Sequence, residues 1–467
     1  MTGGIGILHL EWTRTWRDPV MRGMLVLFAI AAGYAVMAGA RWAEQRQLAV
    51  SQAVASSDDV VSLRRERFKT TVAKGEKPNF DLIYVTASQF GAGLPTAPLA
   101  ALSAGQAEAY PAAANVTPFG DPWAMFDAYA TGLESPSVLA AGRFDLAFAL
   151  IVLLPLLLIA ATYDFWSRDV ENGSARFQLA QPVRPARLIL TRAAVRGGSI
   201  LSAAMLIAVA WLVAASARDI SGLAVFALVV LAYGVFWIAL TTLINLFVRT
   251  STTAALASGT AWLAVVMLLP AASAAIVDLA APPPSAMAHT NSLRVAGLEI
   301  RAGNQAAARA ATAIAPDEWS RAYPANLWQR RAEIQQREAQ LGRLYQTHAD
   351  HWERRRAVAG GLRFLSPAVI AQDALDRIAG TDASRALAFQ DQARAFAGDA
   401  RRLAFDWMDR DRLMTLADHD RALLRFTFAE PSRARVLTLD LVALGLLTIL
   451  LFAIAMLRLR RGASQLL

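Results

Sequence analysis

The sequence predicts an all-α polytopic membrane protein with six transmembrane helices and two large, mainly helical extracytoplasmic insertions. Three observations predict it. The 467 residues are 55% hydrophobic and only 18% charged, whereas soluble domains carry about a quarter charged residues. Six apolar segments bounded by charges reach the roughly 17–25 residues that cross about 30 Å of hydrocarbon. Arginine alternates between the short connecting loops as the positive-inside rule requires.

The elements follow in order. Residues 1–22 are a polar N-terminal segment with Trp12, Trp16, Arg14, Arg17 and Arg22. The first span, residues 23–40, lies between Arg22 and Arg41. It ends in Ala38-Gly39-Ala40, a cleavage-like pattern, but the long Trp-bearing segment before it argues against a signal peptide. Residues 41–143 form the first insertion: a polar helical stretch from Trp42 to about Lys74, then a loop-rich part. Residues 144–163 hold the second span, with its charge-free run at Leu146–Tyr163. A charged segment, 164–187, follows with Asp164, Arg168, Asp169, Glu171, Arg176, Arg184 and Arg187. Three further spans occupy 188–280, around Gly197–Ala217, Ile220–Val248 and Thr250–Val277. Pro155 and Pro270 predict a kink or an end in their helices.

The second insertion, 281–435, opens on Pro282-Pro283-Pro284. Leu327, Ile334, Leu341, Leu344, His348 and Trp352 then recur on one face of a charged helix, which predicts an amphipathic helix packed in its own domain. The last span, 436–457, precedes the tail 458–467. Arg14, Arg17 and Arg22, the arginines of the 164–196 stretch, Arg249, and Arg458, Arg460 and Arg461 all fall on one side. That side is the cytoplasm, with both termini in it and both insertions outside.

Net charge is +9 and the pI about 10.3. Only Lys69, Lys74 and Lys77 are lysines, and the arginine stretches lack the aromatic interleaving of a nucleic-acid groove. Topology explains the charge, and no nucleic-acid partner is expected. The absence of cysteine excludes disulfides, thiol catalysis and Cys-ligated metals. There is no G-x-x-x-x-G-K-[ST], so the chain has no ATPase site of its own and binds no cofactor. No catalytic residue and no metal site is expected. His348 and His351 are read as surface histidines, since no third ligand is indicated. Asp145 and Asp440 stand at the outer ends of spans two and six, where anchoring explains a carboxylate. Thr241, Thr242 and Asn245, with Thr162, are candidate pathway groups, because polar cargo needs polar walls. Helix–helix hydrogen bonding explains them equally well.

The charged segment 164–187 has two readings from its residues. It is an ordinary solvated loop, or a short stiff element that fits a partner's cleft. In the second reading Asp169 and Glu171 pair with basic groups of the partner, Gly173 permits a close turn, and Phe165, Trp166 and Phe177 anchor it.

Several motifs now combine. "EWTRTWRDPVMRG" precedes span one, with Arg17-Asp18-Pro19 at its end. "RDVENGS" follows span two, supplying Asp169, Glu171, Gly173 and Ser174, and "FQLAQPVRPARLIL" leads into span three. In this order the chain resembles the permease subunits of type-2 ABC exporters, although Asp169 replaces the first Glu of their E-x-E-x-G-[ST] pattern. It is most similar to a bacterial subgroup with large extracytoplasmic insertions. The shared elements are "PLAALSAGQ" (98–106), "GRFD" (142–145), "APPPSAM" (281–287, with Ala286 where Arg is usual), Ser366–Ala368 and Gly380–Arg385.

The resemblance implies a permease of the bacterial inner membrane that moves an unidentified substrate by means of a separate ATPase subunit, which carries ATP and Mg. It implies a second permease copy or a paralogous permease, and leaves room for a periplasmic partner. It makes Trp12, Trp16, Arg17 and Asp18 an interfacial helix. Trp166, Arg168, Asp169, Glu171, Gly173 and Phe177 become the ATPase-coupling element. Two alternatives stand beside export: a mechanotransmitter that works on a periplasmic protein without passing cargo, and a non-transporting scaffold or sensor.

Overall fold

Asp18 and Pro19 make the first corner of the chain. Helix α1 (Gly3–Arg17) stops there, and Asp18 accepts the Val20 N–H at 2.9 Å as the N-cap of α2 (Pro19–Ala73), with Pro19 at its first position. This is the expected division of labour at a helix start. The computed structural model describes residues 3–76, 89–121, 123, 125–126, 143–181, 184–215, 217–311, 325–410, 415, 417–418 and 424–460. The loop 77–88, Gly142 of the "GRFD" motif and Arg461 lie outside the described residues.

The first span does not stop at Arg41. α2 is one helix of 55 residues, about 80 Å long at 1.5 Å per residue. No Gly or Pro interrupts it between residues 41 and 73, so the polar stretch beyond Trp42 continues the span. It ends at Lys74 and Gly75, whose φ of +71° suits glycine.

Among the described residues, six helices are long and apolar enough to cross a membrane. After α2 comes α3, made of Leu146–Phe148, a π-helical turn Ala149–Leu153 and Leu154–Thr162. Two short helices follow, α4 (Ser167–Glu171) and α5 (Ser174–Leu179), then α6 (Pro185–Ala214) and α7 (Ile220–Phe247). α8 is Ser251–Leu263, a π-helical turn Ala264–Leu268 and Leu269–Ala280. α7 is the central helix: Phe226, Tyr233 and Trp237 are buried against its neighbours.

Pro155 and Pro270 neither end their helices nor leave them unsatisfied. Each follows a π-helical turn, which re-phases the ladder where proline withholds its N–H. Near Pro155, Tyr233 Oη donates to the Ile151 carbonyl at 3.0 Å and Trp262 Nε1 to the Val152 carbonyl at 3.2 Å. Near Pro270, Ser366 Oγ donates to the Val265 carbonyl at 2.8 Å. Neighbouring elements thus satisfy carbonyls at these turns, as an apolar medium demands.

On the insertion side, α9 (Ala286–Ala311) and α10 (Ala325–Leu362) form a helical hairpin, followed by α11 (Pro367–Ala379), α12 (Ala383–Asp409) and the last span α13 (Ala434–Arg460). β1 (Phe90–Gly93) pairs antiparallel with β2 (Ala113–Val116), Phe90 opposite Val116, in a two-stranded sheet. The two insertions, read from sequence as separate units 41–143 and 281–435, share one core. Phe90, Val116, Phe119 and Phe126 of the first pack on Phe389 and Trp407 of the second. The reason lies in α12: Ala393, Ala397, Ala400 and Ala404 line a flat strip that lets β2 of the first insertion approach closely.

α11 ties this layer to the spans. Asp440 of α13 is fully buried and receives Arg377 Nη1 at 2.7 Å and Arg363 Nη2 at 2.8 Å. Among the described residues no group of three or more His, Cys, Asp or Glu could hold a metal ion. His348 stacks on His289 with ring centroids 3.9 Å apart and accepts the Trp352 indole N–H at 3.0 Å. Partial burial, then the neighbouring imidazole, lowers the pKa of His289.

Candidate functional site

The opposite end of the bundle carries α1 and the end of α13, and there α1, the described part of the 164–187 segment and α6 meet. α6 begins twelve residues before the apolar run at Gly197, so Arg192 and Arg196 sit within it. Their i,i+4 spacing puts both guanidiniums on one face. Between them lies Glu11 of α1, fully buried. Arg196 Nε donates to Glu11 Oε2 at 2.6 Å, and Arg192 Nε lies 3.1 Å from Oε1 as an ion contact without hydrogen-bond alignment.

The same arginines reach the charged segment. Arg192 Nη1 meets Asp169 Oδ2 at 2.5 Å, and Arg196 Nη1 approaches Asp164 Oδ1 at 3.5 Å. Arg168 closes the set on Asp164 at 2.5 Å. One buried glutamate, three arginines and two aspartates therefore lock α1, α4 and α6 together. Buried charges of this kind persist only when paired.

Asp169 is thereby turned inward. It also accepts from Ser174 Oγ at 3.0 Å and Gln178 Nε2 at 2.9 Å, which folds α5 back onto α4. Gly173 makes the turn between them with φ +74° and open space where a Cβ would stand; the backbone conformation, not crowding, calls for glycine. Glu171 also has an internal partner: its carboxylate accepts the Ser251 N–H at 2.9 Å and hydroxyl at 2.8 Å, at the start of α8. The interaction suits a carboxylate at a helix N-terminus.

The aromatic residues divide. Phe165 and Trp166 are buried in the bundle core, so they root the segment rather than face a partner or the lipid headgroups. Phe177 is 78% exposed. Arg168, Glu171, Asn172, Arg176 and Phe177 form the outward face of α4 and α5. In α1, Trp12 is half exposed and lies 5.7 Å from the Trp16 ring, which packs partly against the core. Arg17 is exposed and Asp18 is spent on the corner.

A pair of short helices, rooted by ion pairs and presenting an exposed face, thus lies at one end of the apolar helices. The family model described as ABC-2 family transporter protein matches residues 5–461. The chain belongs to the ABC-2 transporter family. It is a multi-pass membrane permease subunit of an ABC transporter, and the family implies a separate ATPase subunit. No curated protein matches it.

Among the permease's candidate pathway groups, Thr162, Thr241 and Asn245 bond between spans. Thr162 Oγ1 and Thr241 Oγ1 are 2.9 Å apart, Asn245 Nδ2 donates to the Thr162 and Thr241 carbonyls at 3.1 and 3.0 Å, and its Oδ1 accepts the Ser167 N–H at 3.3 Å. Thr242 donates to the Ile238 carbonyl at 2.6 Å. All four side chains are buried; Thr162, Thr241 and Asn245 link α3 and α7, while the Thr242 bond stays within α7.

Glu11, Arg192 and Arg196 were not singled out by sequence reasoning. The arginines served only to orient the chain. The signal was present: Glu11 stands alone between Trp12 and Leu10 on a helix otherwise carrying arginine, and Arg192 and Arg196 precede an apolar run four residues apart.

Proposed function

We propose that the permease belongs to an ATP-driven exporter of the bacterial inner membrane, its termini cytoplasmic, and that α4–α5 dock on the ATPase subunit. The single observation that carries this reading is Phe177: a large aromatic side chain, 78% exposed, on a short helix pinned from behind by Asp169 to Arg192. An exposed aromatic on a rigid mount suits a partner's pocket. Arg168, Glu171 and Arg176 ring it with charge. Closing of the ATPase subunits around ATP and Mg would push this mount. The push would pass through Arg192, Arg196 and Glu11 to α1 and α6 as a rigid-body shift.

A second permease, identical or paralogous, fits the face of α8. Leu256, Leu263, Met267 and Leu268 stand exposed along it, and almost nothing in the chain covers this helix.

One observation favours mechanotransmission over passage of cargo. Thr162, Thr241 and Asn245 are buried in bonds between α3 and α7 and Thr242 in a bond within α7, while the insertions share one core and are tied to α13 through Asp440. Force on the bundle would then reach a periplasmic partner through a stiff body.

The docking experiment uses the Cys-free background. Phe177→Cys should crosslink to cysteines placed around the ATPase subunit's cleft, while a cysteine on the outer helix, at Arg343, should not. Equal crosslinking from both positions, or none from 177, would remove α4–α5 from the interface. Phe177→Ala should weaken the complex by about 1–2 kcal/mol or more without lowering the permease's own folded yield.

A further inference from the structure

Three motifs that the coupling surface leaves unused converge at the insertion-side mouth of the bundle. Ser103 comes from "PLAALSAGQ", Asp145 from the run into α3, and Asp376 from α11. Ser103 Oγ lies 2.7 Å from Asp376 Oδ1 and 3.1 Å from Asp145 Oδ2, and accepts the Gly105 N–H at 3.1 Å. Ser103, Asp145 and Asp376 are all buried. Gly105 has φ +49°, and a Cβ there would strike Thr381 Oγ1 and crowd the Asp376 carboxyl. The Gln106 N–H donates to the Thr381 carbonyl at 3.1 Å. The first insertion is thus wedged against the second at one hydroxyl.

A serine hydroxyl has one proton. It cannot donate to both carboxylates, and two buried anions facing one donor repel each other. A single added proton completes the set: Asp376 donates to Ser103, Ser103 donates to Asp145, and Gly105 donates to Ser103. The proton belongs on Asp376. Asp145 already accepts the backbone N–H groups of Phe148 at 2.8 Å and Ala104 at 3.0 Å, which favour its anion. Asp376 has Ser103 and Gln372 Nε2 at 2.9 Å.

Among the described residues the neighbouring arginines have other carboxylate or carbonyl partners, and Arg143, two residues before Asp145, pairs with Glu108. On α11 itself, Asp373 takes Arg363 and Arg377 at 3.4 and 3.5 Å. From α13, Asp440 takes the same two arginines, and Arg433 donates to the Arg377 carbonyl. At the start of α7, Asp219 is held by Ser221 and the Gly222 N–H, and Arg218 is exposed. We propose that Ser103, Asp145 and Asp376 form a proton-operated latch, which holds the 98–106 segment on α11 when one proton is shared and loosens when that proton leaves.

Burial, followed by the charges of Asp145 and Asp373, pushes the Asp376 carboxyl up to about 7. For a carboxyl raised in the closed state, closure is strongest at acid pH and is lost as pH rises towards that value. The slope is at most about tenfold per pH unit.

The test uses the full-length permease with its ATPase subunit in nanodiscs. Hydrogen exchange of residues 98–106 and 372–381, corrected for the intrinsic pH dependence of exchange, is followed from about pH 5 to about pH 8. Opening should rise with pH and level off above about 7. Asp376→Asn, which keeps a donor towards Ser103, should stay closed throughout. A flat wild-type profile, or an unchanged slope in Asp376→Asn, overturns the latch. The wild-type protein alone supplies a second readout. A carboxylic-acid C=O infrared band should disappear over the same pH range, and absence of a titrating band also overturns the proposal.

Discussion

Glu11 and Arg196 are 185 residues apart in sequence and 2.6 Å apart in space. This contact makes α1 part of the same rigid unit as the charged segment after α3, because Arg196 and its neighbour Arg192 also hold Asp164 and Asp169. Glu11→Ala removes the only carboxylate that touches both arginines from α1 and leaves them short of compensating charge. It should cost about 3–5 kcal/mol, the usual penalty for breaking a buried charge cluster. Thermal unfolding of the purified permease measures the loss. Glu11→Gln should recover part of the stability yet still uncouple ATP hydrolysis from output. Wild-type coupling in Glu11→Gln would confine the contact to folding.

Glu171 occupies two roles that its charge reversal separates. It bonds the start of α8 through Ser251, and its exposed side faces the space where the ATPase subunit is proposed to sit. Glu171→Lys should insert normally and lose ATPase stimulation. Ser251→Ala removes the hydroxyl bond but keeps the carboxylate and the Ser251 backbone N–H. If both variants lose stimulation equally, the α8 contact is what matters. If only Glu171→Lys does, the charge is read by the partner. Normal ATPase coupling in both would remove Glu171 from the proposal.

The six spans were legible because lipid leaves the chain no choice: apolar length and flanking arginines encode them directly. The Asp18-Pro19 corner was marked only by the Arg17-Asp18-Pro19 motif of the resemblance, and α2 starts at Pro19, before the apolar run at Gly23. The fate of Asp169 was not. Its charge suggested an external partner, but Arg192 stands 23 residues away, and nothing local says which way the side chain turns. α2 was cut at Arg41 because hydropathy changes there while helix propensity does not. The meeting of Ser103 with Asp376 spans 273 residues, and no periodicity reports contact at that range.

Thr241 provides a sharp test of what lies between α3 and α7. Its side chain is 1% exposed, so Thr241→Trp has no space to enter. Overpacking of this kind costs about 1–3 kcal/mol and can exceed it. Folded yield should fall. Thr241→Val keeps the volume and loses the bond to Thr162, at a cost of about 0.6 kcal/mol and up to about 1.7. Normal yield and normal ATPase activity for Thr241→Trp, together with lost physiological output, would put residue 241 in an open pathway of the assembled transporter.

Orientation is tested by labelling. Leaving the two long insertions aside, the short connections and flanks gather arginine at the end that carries Arg14, Arg168, Arg176, Arg249 and Arg458, while the loop between α6 and α7 holds Arg218 alone. That bias predicts cytoplasmic termini. The protein has no cysteine, so single introduced thiols report without background. Gln106 and Arg343 are exposed on the insertion side. Cysteines there should react with an impermeant maleimide added to intact spheroplasts. Arg176 is exposed at the other end, on α5, and its cysteine variant should react only after the membrane is opened. The reverse pattern would turn the permease over and place the α4–α5 surface away from any cytoplasmic ATPase. Asn172 gives a second position at that end, also exposed, so a failure of one variant to fold does not leave the orientation untested.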